Sequence, residues 1–188
     1  MEIEFLEEGH IYLVDGIITP SVSEILEFIF PNKYSSIPRS ILDQKAEFGT
    51  HIHKAIEDYE NGLDYQLTGL ELVTFEQYIK LKERHNIKVV SQEEVISYQD
   101  EFCGRLDMIA WVDNILSLVD IKTTSQLDYE SLAWQLGMYQ LAKDVVYEKC
   151  YCLWLPKKDI GRLVEIKPKS KEEILEILKQ YNASKSKF

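Results

Sequence analysis

The sequence predicts an α/β fold in which a central mixed β-sheet is flanked by helices and preceded by an N-terminal β-hairpin. Three observations lead there. Residues 88–98, 102–112 and 115–122 are strand-like runs divided by turn signals. The segments on either side carry apolar residues at helical spacing. The 188 residues, 45 % hydrophobic and 28 % charged, suffice for one folded unit with a sizeable core. The expected organisation is a single domain over 1–188, with the hairpin at 1–20, a core at 38–167 and a C-terminal helix and tail at 170–188.

In chain order, residues 2–19 read as the hairpin, with Asp15-Gly16 as its turn and His10, Tyr12 and Val14 alternating on one face. Thr19-Pro20-Ser21 ends the strand, and Ser21 with Glu24 forms a capping box for a helix reaching Phe30. Pro31 and Pro38 bracket a loop. A long helix follows from Pro38 or Arg39 to Tyr59, closed by Asn61-Gly62, and another covers 68–84. After the three strands come a helix at 129–147, strands at 149–156 and 161–167, and a last helix at 170–182.

The chemistry concentrates in the strands. Asp113-Asn114 tolerates the positive φ angles of a two-residue hairpin turn. Counting outward from it puts Asp107 opposite Asp120 and Arg105 opposite Lys122. Like charges directly across a ladder destabilise it, so two facing carboxylates call for a shared proton or a bound cation between them. A two-residue turn at Asp100-Glu101 would set Glu94 opposite Asp107, giving three carboxylates in a row. A single bulge would move that set by one residue. Asp120 and Lys122 share one strand face, and Val119 and Ile121 point the other way into the core. A carboxylate that holds a cation and a lysine that offsets charge on a phosphorane suit metal-assisted phosphodiester hydrolysis, although a surface ion pair would use the same residues.

On the long helix, Gly49, His53 and Glu57 lie on one stripe, and Gly49 leaves room for close approach beside the imidazole. His51 lies about 200° around the helix from His53, a poor zinc chelate. Alone, His53 reads as a hydrogen-bonded helix histidine rather than a ligand, and His10 and His85 likewise read as non-ligands. Gln135 and Tyr139 are i, i+4 neighbours able to donate to phosphate oxygens or to hold a neighbouring strand.

Composition sets bounds. No apolar run approaches the roughly 20 residues that span a bilayer, and the amino terminus is acidic, so no membrane association and a cytoplasmic location are expected. Cys103, Cys150 and Cys152 lack metal-ligand spacing and read as reduced thiols in strands. The net charge of −11 argues against broad phosphate binding, but residues 156–188 carry nine basic and five acidic side chains, and local phosphate contacts survive on an acidic chain. No GxSxG, Walker A, paired CxxC or dinucleotide fingerprint is present.

Taken in order, GTHIH, GRLDMI, VDIKTT and QLGMY, from Gly49 to Tyr139, resemble the successive motifs of the RecB-like branch of the PD-(D/E)XK nuclease superfamily, which includes lambda-exonuclease-type enzymes. The opening HIYLVDGIITPSVSEIL resembles the leader of phage recombination nucleases. The resemblance implies a restriction-endonuclease-like core and a Mg²⁺-dependent DNA exonuclease of phage recombination or repair, with Mn²⁺ able to substitute. It implies Asp107 and Asp120 as metal-binding carboxylates, His53 and the Ile121 carbonyl as further ligands, and Lys122 as the catalytic lysine. It further implies Gln135 and Tyr139 as DNA contacts or supports and Glu94 as an upstream acid, and the expected place of Arg105 opposite Lys122 then makes it a second phosphate contact. Three cysteines do not reproduce the four-cysteine iron–sulfur pattern of some relatives, so no cluster is expected. A bacterial host cytoplasm, an annealing or single-strand-binding partner and a homo-oligomer are implied by resemblance alone. An endonuclease or single-strand-specific enzyme of the same fold, and a non-catalytic binding module, are the rival expectations.

Overall fold

A computed structural model describes residues 2–6, 9 and 11–185. His10 and the last residues of the Lys-rich tail, 186–188, lie outside the described residues. The expected N-terminal hairpin is a three-stranded antiparallel sheet, β1 (Ile3–Leu6), β2 (Ile11–Val14) and β3 (Ile17–Thr19), in the order β1-β2-β3. The Asp15-Gly16 turn is where the sequence puts it, with φ of 49° and 79°, the positive pair that a tight hairpin needs. The additional strand arises because the chain also reverses upstream, through Gly9 at φ 86°.

Helix α1 (Val22–Ile29) starts in the predicted capping box: Glu24 N–H donates to Ser21 Oγ at 3.1 Å and Ser21 N–H to Glu24 Oε2 at 2.6 Å. Helices α2 (Arg39–Glu60) and α3 (Gly69–Arg84) follow, α2 ending at Asn61 and Gly62, the latter at φ 69°. Then come β4 (Lys88–Tyr98), β5 (Phe102–Val112) and β6 (Ile115–Lys122), matching the expected strands. Helix α4 (Tyr129–Lys143) stops four residues short of its predicted end at 147. Asp144 terminates it in the left-handed conformation at φ 51°, and the Tyr147 N–H folds back onto Gln140 Oε1 at 2.9 Å. Strands β7 (Lys149–Trp154) and β8 (Arg162–Glu165) and helix α5 (Lys171–Lys185) complete the chain.

The main sheet is mixed, in the order β4-β5-β6-β7-β8. Only the β6–β7 pair is parallel, and α4 is the crossover that a parallel connection requires. One face packs on α1, α4 and α5 through Val22, Ile25, Leu118, Leu136 and Leu178. The other packs on α2 and α3 through Ile52, Ile56, Phe75, Val119 and Ile121. The small sheet joins the large one where Cys103 N–H donates to Pro20 O at 2.8 Å, and Tyr12, Val14 and Cys103 share a third apolar cluster. Cys150 and Cys152 are buried on one face of β7, as their alternation predicts. Among the described residues, no helix is long and apolar enough to cross a membrane.

Candidate metal centre

The β5–β6 hairpin turns at Asp113 and Asn114, with φ of 48° and 69°, and its ladder runs in the expected register from Val112↔Ile115 to Met108↔Val119. One step further, where Asp107 would face Asp120, paired backbone gives way to a side chain. The Ile121 N–H donates to Asp107 Oδ2 at 2.6 Å. The expected Arg105–Lys122 opposition therefore does not form, because the strands have separated before reaching it. Asp120 is 1 % exposed, with its Oδ1 accepting from Lys122 Nζ at 3.0 Å. Its Oδ2 lies 2.8 Å from the same nitrogen but outside hydrogen-bonding geometry, and among the described residues no hydrogen bond reaches it.

Burial pushes the Asp120 carboxyl up to about 6, with Lys122 pulling it down and Asp107 pushing it further up. Burial pulls the Lys122 ammonium down, but Asp120 and Asp107 together raise it above its ordinary value. The facing aspartates were expected to need a proton or a bound cation between them. In the protein alone, the Lys122 ammonium supplies the positive charge.

Strand β4 overturns the expected position of Glu94. Its hairpin with β5 closes through a three-residue loop, Gln99 to Glu101, with Tyr98 paired to Phe102 and Gln99 at φ 51°. From Tyr98 back to Ser91 every partner shifts by one from the two-residue turn that the sequence suggested, and a bulge between Val89 and Ser91 adds a second step beyond. Glu94 pairs with Leu106, and its carboxylate accepts from Lys143 Nζ on α4 at 2.6 Å. Glu93 takes the place opposite Asp107, at φ 51° in an interruption of the ladder between Gln92↔Met108 and Glu94↔Leu106. A non-glycine residue held there is strained, as is common at functional sites. The strands change face at this point: Leu106 packs with the α4 side of the core, whereas Met108, two residues on, packs with the α2 side. A regular strand would put both on one face.

Helix α2 delivers His53 to this interruption. The Ile121 carbonyl, expected as a metal ligand, accepts from His53 Nε2 at 3.1 Å. Because a carbonyl can only accept, Nε2 carries the hydrogen and Nδ1 is turned to the carboxylates, 3.6 Å from Asp107 Oδ1 and 3.7 Å from Glu93 Oε1. A neutral ring would aim a lone pair at two anions, which calls for a proton or a cation at Nδ1. Burial lowers the His53 pKa, but Asp107 and the Glu93 contact outweigh it and raise the net value. His51 points elsewhere, to Glu71 on α3 at 2.8 Å, as its helical angle predicts. Glu57, although on the His53 stripe, pairs with Lys54 at 3.1 Å and stays outside the site.

Gln135 and Tyr139 approach from α4. Gln135 Nε2 donates to the Tyr139 hydroxyl at 2.9 Å, which donates to the Arg105 carbonyl at 3.0 Å. Buried Tyr139 thus steadies β5 from behind, while half-buried Gln135 lines a small cleft of about 190 Å³ with His53, Glu93, Asp107 and Arg105. Gly104, which opens the GRLDMI motif, lies against the Tyr139 ring: a Cβ there would come within 3.0 Å of Tyr139 Cε1 and of Val22 Cγ2. Arg105 Nε pairs with Glu93 Oε2 at 2.9 Å.

Candidate ligand atoms of His53, Glu93 and Asp107 lie within 4.8 Å of one another, a spacing that can hold a metal ion. The donors suit a divalent cation with oxygen preference: two carboxylates, an imidazole whose second N–H is anchored on a backbone carbonyl, and a nearby buried Asp120 oxygen without a hydrogen bond. Glu93 is the residue that sequence reasoning missed. Its signal was the adjacent Glu93-Glu94 pair, whose facing depends wholly on the length of the loop at Gln99.

No protein-family model and no curated protein matches the chain. Among solved structures it is similar to the crystal structure of SSO0001, with 17 % identity, 86 % of this chain and 73 % of the other covered, and a TM-score of 0.47. Similarity that loose transfers neither fold type nor activity.

Proposed function

We propose that the chain is a divalent-metal-dependent deoxyribonuclease with a restriction-endonuclease-like core, acting as an exonuclease in phage or prophage recombination or repair. The observation that carries this reading is the convergence of His53, Glu93 and Asp107 beside the buried Asp120–Lys122 pair. The order of the four sequence motifs supports it.

In this reading His53, Asp107 and Glu93 would hold Mg²⁺ or Mn²⁺, with Asp120 as the further anionic donor. When bound, the cation supplies Lewis-acid polarisation of a phosphate and a lowered pKa for attacking water. The protein's own groups do the rest. Lys122, kept as an ammonium by Asp120, offsets negative charge gathering on the phosphoryl oxygens. Arg105, balanced by Glu93, adds a second cation at the cleft. Gln135 uses one amide hydrogen on Tyr139 and has a second to offer a phosphate oxygen. The Ile121 N–H and C=O, flanking a single Cα, fix Asp107 and His53, so both candidate ligands are set by strand β6.

The test is digestion of linear and covalently closed circular DNA in Mg²⁺ or Mn²⁺, with EDTA as control. Loss of linear DNA alone, abolished by Asp107→Asn and by Lys122→Ala with the fold intact, is expected. Undiminished digestion by either variant would overturn the assignment.

A further inference from the structure

Beside the metal centre runs a much larger cleft of about 1320 Å³, between the loop after α1, the β6–α4 connection and the β7–β8 connection. Lys122 and Gln135 line it, so it opens onto the proposed reaction centre. Its walls combine two features. Phe30, Tyr34 and Tyr129 present aromatic rings, with Tyr34 and Tyr129 52 % and 58 % exposed. Lys45, Lys157 and Lys158 present cations that, among the described residues, make no ion pair, on a chain whose net charge is −11. Exposed apolar side chains occur elsewhere on the surface, but here two exposed tyrosines are gathered in one cleft together with lysines, an arrangement that suits a binding site rather than scattered exposure.

The aromatic wall is held in place. Lys33 lies 5.6 Å from the Phe30 ring centroid and 5.3 Å from that of Tyr34, and its Nζ pairs with Asp128 Oδ2 at 2.6 Å. Asp128 is the N-cap of α4, so the loop carrying Phe30 and Tyr34 is tied to the helix end that carries Tyr129. On the opposite wall Lys157 lies 3.5 Å from the Phe48 ring centroid.

We infer that this cleft takes single-stranded DNA, with bases stacked on Phe30, Tyr34 and Tyr129, phosphates on Lys45, Lys157 and Lys158, and the strand end led to Lys122. The inference rests on the nuclease reading and adds the substrate form that it leaves open. A duplex turns its phosphates outward and keeps its base faces covered, so it offers nothing to an aromatic wall. A single strand exposes both, and a cleft lined by rings and lysines matches it.

The experiment measures fluorescence anisotropy of a labelled 12-nucleotide oligothymidylate and of a blunt 12-base-pair duplex, with Ca²⁺ in place of Mg²⁺ across a salt series. The single strand binds at least tenfold more tightly. Tyr34→Ala/Tyr129→Ala weakens it about tenfold or more, from the loss of two stacking platforms. Lys157→Ala/Lys158→Ala lowers the slope of log affinity against log salt by about 1.4, as expected for two released phosphate contacts on a single strand. All four side chains lie at the surface, and thermal melting checks that each variant is folded. Equal or tighter duplex binding, no single-strand binding, or unchanged affinity in the tyrosine variant overturns the inference. Digestion of labelled DNA in Mg²⁺ is read in parallel. Nuclease activity with no effect of the cleft variants leaves the enzyme reading standing and removes the cleft. Cleft-dependent binding with no hydrolysis does the reverse.

Discussion

The carboxylate of Asp107 accepts the backbone N–H of Ile121 at 2.6 Å, and so stands in for the next rung of the β5–β6 ladder. The site exists because the sheet opens there, and a side chain closes the gap that backbone pairing leaves. Asp107→Ala leaves a buried N–H without its acceptor, a loss of about 1–3 kcal/mol by urea denaturation. Asp107→Asn keeps an amide oxygen in place and loses much less. Both variants lose Mn²⁺ affinity by calorimetry, so a variant of normal stability and no metal binding separates the two roles of this carboxylate. Equal stability losses in both would show that the hydrogen bond is not what holds the strands.

The Glu93 and Glu94 substitutions distinguish the observed register from the one expected at first sight. Glu93→Gln weakens Mn²⁺ binding tenfold or more, whereas Glu94→Gln leaves it within about twofold. Burial raises the Glu94 carboxyl, but the Lys143 pair more than offsets this and holds it below its ordinary value of 4.5. A depressed carboxyl stabilises the fold above its unfolded value and loses that contribution as pH falls through the folded value. Glu94→Gln therefore costs under about 1 kcal/mol at pH 7, since the pair is solvent-screened, and the difference from the parent protein fades below pH 4.5. Loss of metal affinity on Glu94→Gln would restore the two-residue turn.

Two helical glycines give opposite signs. A Cβ at Gly137 would meet the Lys169 carbonyl oxygen at 2.7 Å and its nitrogen at 3.1 Å, both backbone atoms that cannot swing aside. Gly137→Ala lowers stability by about 1–3 kcal/mol, because overpacking outweighs the gain in helix propensity. At Gly49 the nearest atom is Thr123 Oγ1 at 3.4 Å, an ordinary contact. Gly49→Ala raises stability by about 0.5–1 kcal/mol in thermal unfolding. A loss at Gly49 would mean that the close approach read from its place beside His53 is real.

These positions show what the sequence could and could not convey. Asp113-Asn114 has one good solution as a turn, so the β5–β6 register as far as Met108↔Val119 followed from those two residues, whereas the opening of the strands at Asp107 did not. The loop after Tyr98 contains no glycine and admits two lengths, and a one-residue difference exchanged Glu93 for Glu94. His53 was placed on the right stripe of α2, but helical periodicity cannot say that its Nε2 is spent on Ile121. Arg105 faces Glu93 rather than Lys122 because strand separation is a tertiary event that no pairwise count anticipates. The interior position of Tyr139 likewise depends on Gly104 admitting its ring, a contact 35 residues distant in sequence and invisible to local pattern.

The Asp120–Lys122 pair carries the last prediction. Burial sets the Asp120 carboxyl near 6 even with the ammonium beside it, against an ordinary value of 3.8. A carboxyl whose folded pKa lies above its unfolded one favours the native state while protonated, so in EDTA this group costs stability as pH rises from 3.8 through about 6. Removing the counter-charge widens that window upward. Lys122→Met leaves an anion that is 1 % exposed without its ion-pair partner, and at pH 8 it costs about 3–5 kcal/mol by urea denaturation. At pH 5 the carboxyl takes up a proton instead, and most of the loss disappears. Adding Asp120→Asn to Lys122→Met recovers stability at pH 8, because no charge is left stranded. A loss of the same size at pH 5 and pH 8, or no recovery in the double variant, would show that Lys122 acts through packing of its stem rather than through charge.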